Sequence, residues 1–202
     1  MPFPGRARSC GRDWIADITE ATAGRVRGIV NLSPHKEHAA NAAEAERCVS
    51  GLGFVALKLY TLGHAVEPSA DGWIVFAEAA RLGVLVMAHT GGAGQPFAGP
   101  SHVLLLVREC PDLPVVFAHA GMRVAAGEAD LVAQLCPNVY LETSRCGTLD
   151  TAMLAEGPDR LMLGSDGAQN LGAEIAKHYA LGLSPGELSH CLGGTAAKVF
   201  RL

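Results

Sequence analysis

The chain has 202 residues, enough for one sizeable hydrophobic core, and its 49% hydrophobic and 18% charged residues exclude a disordered protein. A net charge of −4 without a basic cluster excludes the usual surface for nucleic acid. No apolar run approaches the roughly 18 residues that cross a membrane, so we predict no membrane partner.

In chain order, six short apolar runs rich in valine, isoleucine and leucine alternate with helical patterns. Their apolar character is continuous rather than alternating, which is typical of strands that are covered on both faces. We therefore predict strands over 27–33, 54–60, 84–90, 114–120, 138–144 and 160–166.

The segments between these strands show the spacing of apolar residues that predicts helices. Weaker patterns predict helices over 36–50, 170–182 and 184–200. Three clearer patterns predict helices that pack on the sheet through the following faces: Trp73, Phe76, Ala77 and Ala80; Val103, Leu106, Val107 and Cys110; Leu131, Val132 and Leu135.

Alternating strands and helices require right-handed parallel connections, which leaves two candidate folds. A doubly wound sheet would carry a glycine-rich phosphate loop after its first strand, and the segment NLSPHKEH has none. A (β/α)8 barrel places its chemistry at the carboxyl ends of several strands, where this chain concentrates polar residues. We therefore predict an α/β protein of the (β/α)8 TIM-barrel type, incomplete because only about six βα units can be counted.

No linker or low-complexity segment divides the chain, so we predict a single domain over residues 1–202. The six cysteines include no CxxC pair. This usage predicts reduced thiols and a cytoplasmic protein.

Five polar side chains lie at or near the carboxyl ends of predicted strands, and each has an ordinary explanation by itself. The histidines could be packing residues, the aspartate a helix cap, and the glutamate an ion-pair partner for the lysine. Together, two histidines and an aspartate at equivalent strand ends predict a site for a divalent metal. Neutral imidazole and carboxylate groups are ligands that suit Zn²⁺ or a similar ion. The five residues are Lys58, His89, His119, Glu142 and Asp166.

Six segments resemble, in order, the amidohydrolase-related (amidohydrolase 2) family of metal-dependent barrels, which includes aminocarboxymuconate semialdehyde decarboxylase. They are GFVALKLY, VLVMAHTGG, CPDLPVVFAHAGM, CPNVYLETS, GPDRLMLGSDG and LGGTAAKVFRL. The resemblance implies that His89 is a metal ligand and that His119 is an acid/base or polarises the substrate. It implies that Asp166 binds metal and handles the proton of metal-bound water, while Lys58 lines the pocket.

The same resemblance implies a small carboxylated or cyclic substrate, with hydrolysis of a C–N or C–O bond or decarboxylation as the reaction. Lys58 or Arg145 would then hold a carboxylate of the substrate. We also expect His64 and Glu142 to face the substrate.

One departure from the family pattern is large. Family members begin with a strand that ends in His-x-His and supplies two ligands, and this chain contains no His-x-His. Its first predicted strand, 27–33, matches the third strand of the family. Because two strands are missing, we expect open sheet edges, an exposed apolar interior, self-association into a homo-oligomer and a weakly held metal.

Three functional hypotheses therefore remain open. The first is a metal-dependent hydrolase or decarboxylase of this family. The second is a metal-independent hydrolase, because the family includes a metal-free lactonase of pyrone dicarboxylate. The third is a non-catalytic remnant or a partner-binding subunit that lost its first ligands.

Overall fold

The computed structural model describes residues 11–92 and 94–202. Within them, six strands form one sheet in which each strand is parallel to the next. All six predicted strands are confirmed, although each is shorter than its apolar run because the strand-end residues already belong to turns. The strands are β1 (Ile29–Asn31), β2 (Ala56–Leu59), β3 (Leu85–His89), β4 (Val115–Ala118), β5 (Val139–Glu142) and β6 (Leu161–Met162).

Helices fill the segments between the strands. The described residues include α1 (Gly11–Ala21), α2 (His38–Glu46), α3 (Thr61–His64), α4 (Pro68–Asp71), α5 (Trp73–Leu82), α6 (Leu104–Glu109), α7 (Met122–Leu135), α8 (Thr148–Leu154), α9 (Leu171–Tyr179), α10 (Pro185–Ser189) and α11 (Thr195–Phe200). Turns of π-helix cover Arg47–Gly51 and His190–Gly194, and 3₁₀ turns cover Pro100–Val103, His119–Gly121, Pro158–Arg160 and Ala168–Asn170. None of these helices is long and apolar enough to cross a membrane.

The order of the strands in the sheet decides between the two candidate folds. Every strand lies beside its neighbour in sequence, from β1 to β6. A doubly wound sheet reverses its strand order at a switch point, and this sheet does not. The arrangement is six consecutive units of a (β/α)8 barrel wall, as predicted.

The two faces of the sheet belong to two separate cores, because successive side chains of a strand point to opposite faces. One face carries Leu57, Val86 and Phe117, which pack against the helices in the larger core. The residues one position away form the smaller core on the other face: Ala56, Leu85, Val116 and Met162. This second face corresponds to the interior of a barrel.

The C-terminal helix α11 covers the inner face of the sheet. Val199 is 7% exposed and joins the inner core, with Ala196 and Phe200 packed against it. The strand residues beneath it, such as Val116 and Met162, are at most 2% exposed. The expectation of an exposed apolar interior is therefore only partly correct. The helix takes up part of the space, while Ile29, Met87 and Tyr140 on the inner face are only partly buried.

The helix faces predicted from spacing are only partly correct. The face predicted around α6 is buried at Leu106 and Val107, and at Val103 in the 3₁₀ turn before the helix. In α5, however, Trp73 is 46% exposed, and the buried side chains include Val75, Phe76 and Ala79. In α7, Leu131 and Leu135 are exposed, while Val132, Ala129 and Ala133 are buried. Both helices carry apolar residues around more than one face, so their spacing could not select the face that meets the sheet.

Candidate active site

A cavity of about 300 Å³ opens on the inner face of the sheet, at the carboxyl ends of the strands. Its lining includes Lys58 from β2, His119 after β4, Glu142 from β5 and Asp166 after β6. Phe200 of α11 contributes an apolar wall. Four of the residues selected from the sequence are thus brought together, as the common edge of a parallel sheet requires.

His89 ends β3 beside this cavity, with its ring centroid 4.9 Å from that of His119. It is 5% exposed, and its Nε2 has no hydrogen-bond partner among the described residues. Burial, with smaller effects from His119 and Lys58, lowers the pKa of His89 to about 4, against a hydrogen bond to the backbone of Gly91. The ring is therefore neutral at physiological pH, with a free Nε2 that suits a metal ion.

His119 and Asp166 face each other across the cavity. Nε2 of His119 lies 4.0 Å from Oδ1 of Asp166. Burial lowers the pKa of His119, and the negative charge of Asp166 opposes that shift. Both residues adopt left-handed backbone conformations, with φ of 68° and 54°. Such conformations are rare for non-glycine residues and concentrate at functional sites.

Arg145 pairs with the other oxygen of the same aspartate. Its Nε donates to Oδ2 of Asp166 at 2.7 Å, and its backbone N–H donates to Oε1 of Glu174 at 3.3 Å. Burial acts to raise the pKa of Asp166, but the bond from Arg145 and the nearby positive charges bring it below its ordinary value. The aspartate is therefore ionised, and one of its oxygens already has a strong donor.

Lys58 extends from β2 into the cavity and is partly buried. Burial lowers the pKa of this lysine, while the charges of Glu142 and Asp166 act to raise it. Among the described residues it forms no ion pair, so its ammonium group is available to a negatively charged ligand.

Glu142 has three hydrogen-bond donors around its carboxylate. Oε1 accepts the backbone N–H of Ser144 at 2.6 Å, and Oε2 accepts the backbone N–H of His119 at 3.0 Å. The hydroxyl of Ser144 lies 2.9 Å from Oε2 and 2.7 Å from Nδ1 of His119. Burial raises the pKa of Glu142, against the effect of these donors. Sequence reasoning missed Ser144, because a serine after a strand carries no distinctive signal.

The turns after β3 and β4 are tied together by a buried threonine. Oγ1 of Thr90 donates to the carbonyl of Ala118 and accepts the N–H of Gly121, both at 2.9 Å. Gly91, with φ of 88°, packs so closely on Gly121 that a Cβ at that position would overlap its backbone. These contacts fix the loop that carries His119.

His64 lies outside the cavity. It ends α3 and lines a neighbouring polar pocket of about 510 Å³ together with Asn31, Lys36 and Arg47. Its ring packs on Tyr60, whose ring lies 5.4 Å from that of His89. A contact between His64 and substrate therefore stays a prediction. The ring of Tyr60 lies between His64 and His89.

A family model described as Amidohydrolase matches residues 6–202 of the sequence. The chain belongs to the amidohydrolase family. The resemblance inferred from six sequence segments is thus confirmed over nearly the whole chain. No curated protein sequence matches it.

Three similar solved structures are of decarboxylases. A 5-carboxyvanillate decarboxylase from Sphingomonas paucimobilis has a TM-score of 0.76 and 16% identity, covering 95% of this chain and 71% of that one. A 2,6-dihydroxybenzoate decarboxylase complexed with 2,6-dihydroxybenzoate has a TM-score of 0.75 and 17% identity, and the match covers 95% of this chain and 76% of that one. The third is a 5-carboxyvanillate decarboxylase from Novosphingobium aromaticivorans, complexed with manganese and 4-hydroxy-3-methoxy-5-nitrobenzoic acid. Its TM-score is 0.76 and its identity 17%, and the match covers 95% of this chain and 69% of that one. At these identities the likeness establishes the barrel fold alone.

The donor set of this amidohydrolase-family chain fits a divalent cation in part. His119 and Asp166 line the cavity, and the ring of His89, whose Nε2 has no hydrogen-bond partner among the described residues, lies 4.9 Å from that of His119. In residues 11–92 and 94–202, however, no three His, Cys, Asp or Glu side chains are placed to hold one ion together. His89 and Asp166 are the residues that would hold a metal, with fewer donors than the four of a closed zinc site.

Proposed function

We propose that this protein is an enzyme that decarboxylates or hydrolyses a small carboxylated ring compound, using a divalent metal bound by His89 and Asp166. The observation that carries the proposal is the placement of His119 Nε2 at 4.0 Å from Asp166 Oδ1, beside a cavity that both residues line together with Lys58. The membership of the amidohydrolase family, and the likeness to decarboxylase structures, support this class of reaction.

The charges around the cavity support a carboxylated substrate. Lys58 lines the cavity without an ion-pair partner in the described part of the chain, and Arg145 is ion-paired with Asp166, which also lines it. Two cations can hold the two ends of a carboxylate, as arginine and lysine do at many anion sites. A volume of about 300 Å³ is at the lower end for ligand pockets and suits a compound with a single ring.

The residues of the site divide the chemistry between them. A bound divalent cation such as Zn²⁺ supplies Lewis acidity to an oxygen of the substrate. In decarboxylation the C–C bond breaks and its electron pair stays on the ring carbon. This carbon takes up a proton that His119 or Asp166 has first accepted from water or from a hydroxyl group of the substrate. In hydrolysis the same two residues remove a proton from water and return it to the leaving group. Lys58 and Arg145 orient the substrate in either case.

The experiment is an activity assay with 2,6-dihydroxybenzoate and 5-carboxyvanillate, with and without a chelator. We expect carbon dioxide release that stops after chelation and returns with added Zn²⁺ or Mn²⁺. Because few donors are present, we also expect dialysis against the chelator to remove the metal. About one equivalent of metal retained after dialysis would contradict weak binding, and unchanged activity in chelator would contradict metal dependence.

The second candidate is a metal-independent hydrolase. It is favoured by the lack of a three-donor metal set among the described residues and by Arg145, which already occupies one oxygen of Asp166. Asp166 would then activate water while Arg145 and Lys58 hold the substrate. Hydrolysis of a cyclic ester that persists in chelator, and that is lost in Asp166→Asn, would select this candidate.

Self-association and a cytoplasmic location are also proposed. Among the described strands, β1 and β6 pair with one neighbour each, so the sheet keeps two edges that a second copy of the chain can cover. Light scattering that gives the mass of one chain would overturn the first of these. The five cysteines in the described part of the chain are free thiols, which suits a reducing compartment.

A further inference from the structure

The two ring nitrogens of His119 have different surroundings. Nδ1 lies 2.7 Å from the hydroxyl of Ser144, and both residues are buried. Nε2 lies on the side of Asp166, 4.0 Å from Oδ1, where His119 lines the cavity. A neutral imidazole carries one proton, so the nitrogen that holds this proton determines whether the group facing the cavity donates or accepts.

The hydroxyl of Ser144 sits between His119 and Glu142. Its Oγ lies 2.7 Å from Nδ1 of His119 and 2.9 Å from Oε2 of Glu142. A hydroxyl has one proton to donate. It therefore donates to one of these partners and accepts a hydrogen bond from the other.

The carboxylate of Glu142 determines the direction of the hydrogen bonds that run from His119 through Ser144 to Glu142. It also accepts the backbone N–H groups of Ser144 and His119, which can only donate. Burial is the largest effect and raises the pKa of Glu142. The donors on both oxygens and the positive charge of Lys58 oppose this shift and favour the ionised form, which accepts only. The hydroxyl of Ser144 consequently donates to Glu142 and accepts the proton-bearing Nδ1 of His119.

We propose that Glu142 and Ser144 are positioning residues that fix His119 as its Nδ1–H tautomer, with an unprotonated Nε2 on the side of the cavity. Its three donors give Glu142 a role through His119, while the expected contact of Glu142 with the substrate stays a prediction. A histidine held in this way accepts a proton from the cavity before it can donate one. This consequence for the reaction rests on the proposed function, whereas the tautomer itself does not.

The test is nitrogen NMR of the protein labelled with ¹⁵N in its histidine rings. Spectra are recorded about 1.5 pH units above the ordinary histidine pKa of about 6.5, so that the rings are neutral. His119→Asn identifies the His119 signals by their loss. We expect a protonated Nδ1 and an unprotonated Nε2. Since no substrate or metal is needed, lack of enzymatic activity would overturn the proposed function without deciding this result.

Two variants and one matched control complete the test. Ser144→Ala should shift the tautomer ratio of His119 about tenfold toward Nε2–H, the scale of one ordinary hydrogen bond. Ser144→Thr keeps the hydroxyl and should restore the ratio. Thr143→Val removes the neighbouring buried hydroxyl, which lies 3.2 Å from Nε2 of His178 and not beside His119, so only the His178 signals should move.

The opposite results are equally clear. A dominant Nε2–H tautomer in the unaltered protein, or an unchanged ratio in Ser144→Ala, would overturn the inference. If Ser144→Ala does not fold, Ser144→Cys replaces it. Its thiol is a weak donor and a weak acceptor, so the ratio should again move toward Nε2–H, and no change would overturn the inference.

Discussion

Gly164 has no side chain at the place where the Glu142 carboxylate packs against it. A Cβ at Gly164 would overlap Oε1, Cδ and Cγ of Glu142. Gly164 follows β6 and Glu142 ends β5, so two adjacent strand ends are fitted to each other at the floor of the cavity. The glycine is needed because there is no space for a side chain. Its backbone conformation does not require glycine, since it is not left-handed.

Gly164→Ala should therefore displace the Glu142 carboxylate and the hydrogen bonds that it accepts. We expect the free energy of unfolding to fall by about 1–3 kcal/mol, the usual cost of an added methyl group in a packed site. Chemical denaturation followed by circular dichroism measures this. Gly172→Ala is the matched control, because a Cβ there meets nothing within 4 Å and its helix α9 should gain stability. Equal stability of Gly164→Ala and the unaltered protein would show that the Glu142 side chain can adopt another conformation without cost.

Asp166→Asn should remove activity while the protein stays folded. We expect the turnover rate to fall by a factor of about 10² to 10⁴, the usual contribution of a general acid or base. The ion pair with Arg145 is partly exposed, so its loss should cost no more than about 1 kcal/mol of stability. Asp159→Asn, at an exposed position, is the control and should leave the rate unchanged. An unchanged turnover rate in Asp166→Asn would show that Asp166 does not carry the reaction. The non-catalytic hypothesis would be favoured if the unaltered protein shows no turnover and Asp166→Asn leaves stability and partner binding unchanged.

The sequence was sufficient to predict the residues that meet at the cavity. Lys58, His119, Glu142 and Asp166 lie at strand ends, and the carboxyl ends of parallel strands share one edge whatever the details of the loops. The six strands were predictable for a related reason, since continuous apolar runs of this length have few other uses in a barrel.

Other features depend on contacts that sequence spacing does not contain. The link of Ser144 to His119 needs the left-handed backbone of His119, which no local signal indicates. The position of His64 in a neighbouring pocket depends on the single turn of α3 and on the ring of Tyr60. The packing of Val199 on the inner face depends on which elements are present beside the sheet, and periodicity within α11 does not report that.

The stability of the fold should decrease as the pH is lowered through the histidine range. His178 is fully buried: its Nδ1 donates to the backbone carbonyl of Glu174 at 2.9 Å, and its Nε2 lies 3.2 Å from the hydroxyl of Thr143. Burial is the main cause that lowers its pKa, helped by Lys177 and opposed by the Glu174 bond and by the charges of Glu174 and Glu142. In the unfolded chain His178 therefore binds a proton near pH 6.5, whereas in the folded chain it binds one only at lower pH.

The sign follows from this difference in bound protons. The contribution of His178 is fully present above about pH 6.5 and is lost as the pH falls toward its folded pKa, at up to about 1.4 kcal/mol per pH unit. His178→Gln should reduce the slope of unfolding free energy against pH, as measured by urea titration at several pH values. His38→Gln, at an exposed position, is the control and should keep the slope. An identical slope in His178→Gln would mean that this ring titrates equally in both states.

Lys58→Met tests the carboxylate preference and separates binding from folding. We expect KM for a carboxylated substrate to rise about 10- to 100-fold, the equivalent of roughly 1.4–3 kcal/mol of lost binding, because the ammonium group is the partner of the carboxylate. Stability should be unchanged or higher, since methionine avoids the cost of holding a cation whose pKa burial already lowers. The exposed Lys198→Met on α11 serves as the control for loss of a positive charge. The comparison of the acid with its methyl ester gives the decisive measurement: the unaltered protein should prefer the acid, and Lys58→Met should bind both alike. A preference for the acid that survives in Lys58→Met would assign the carboxylate to Arg145 instead.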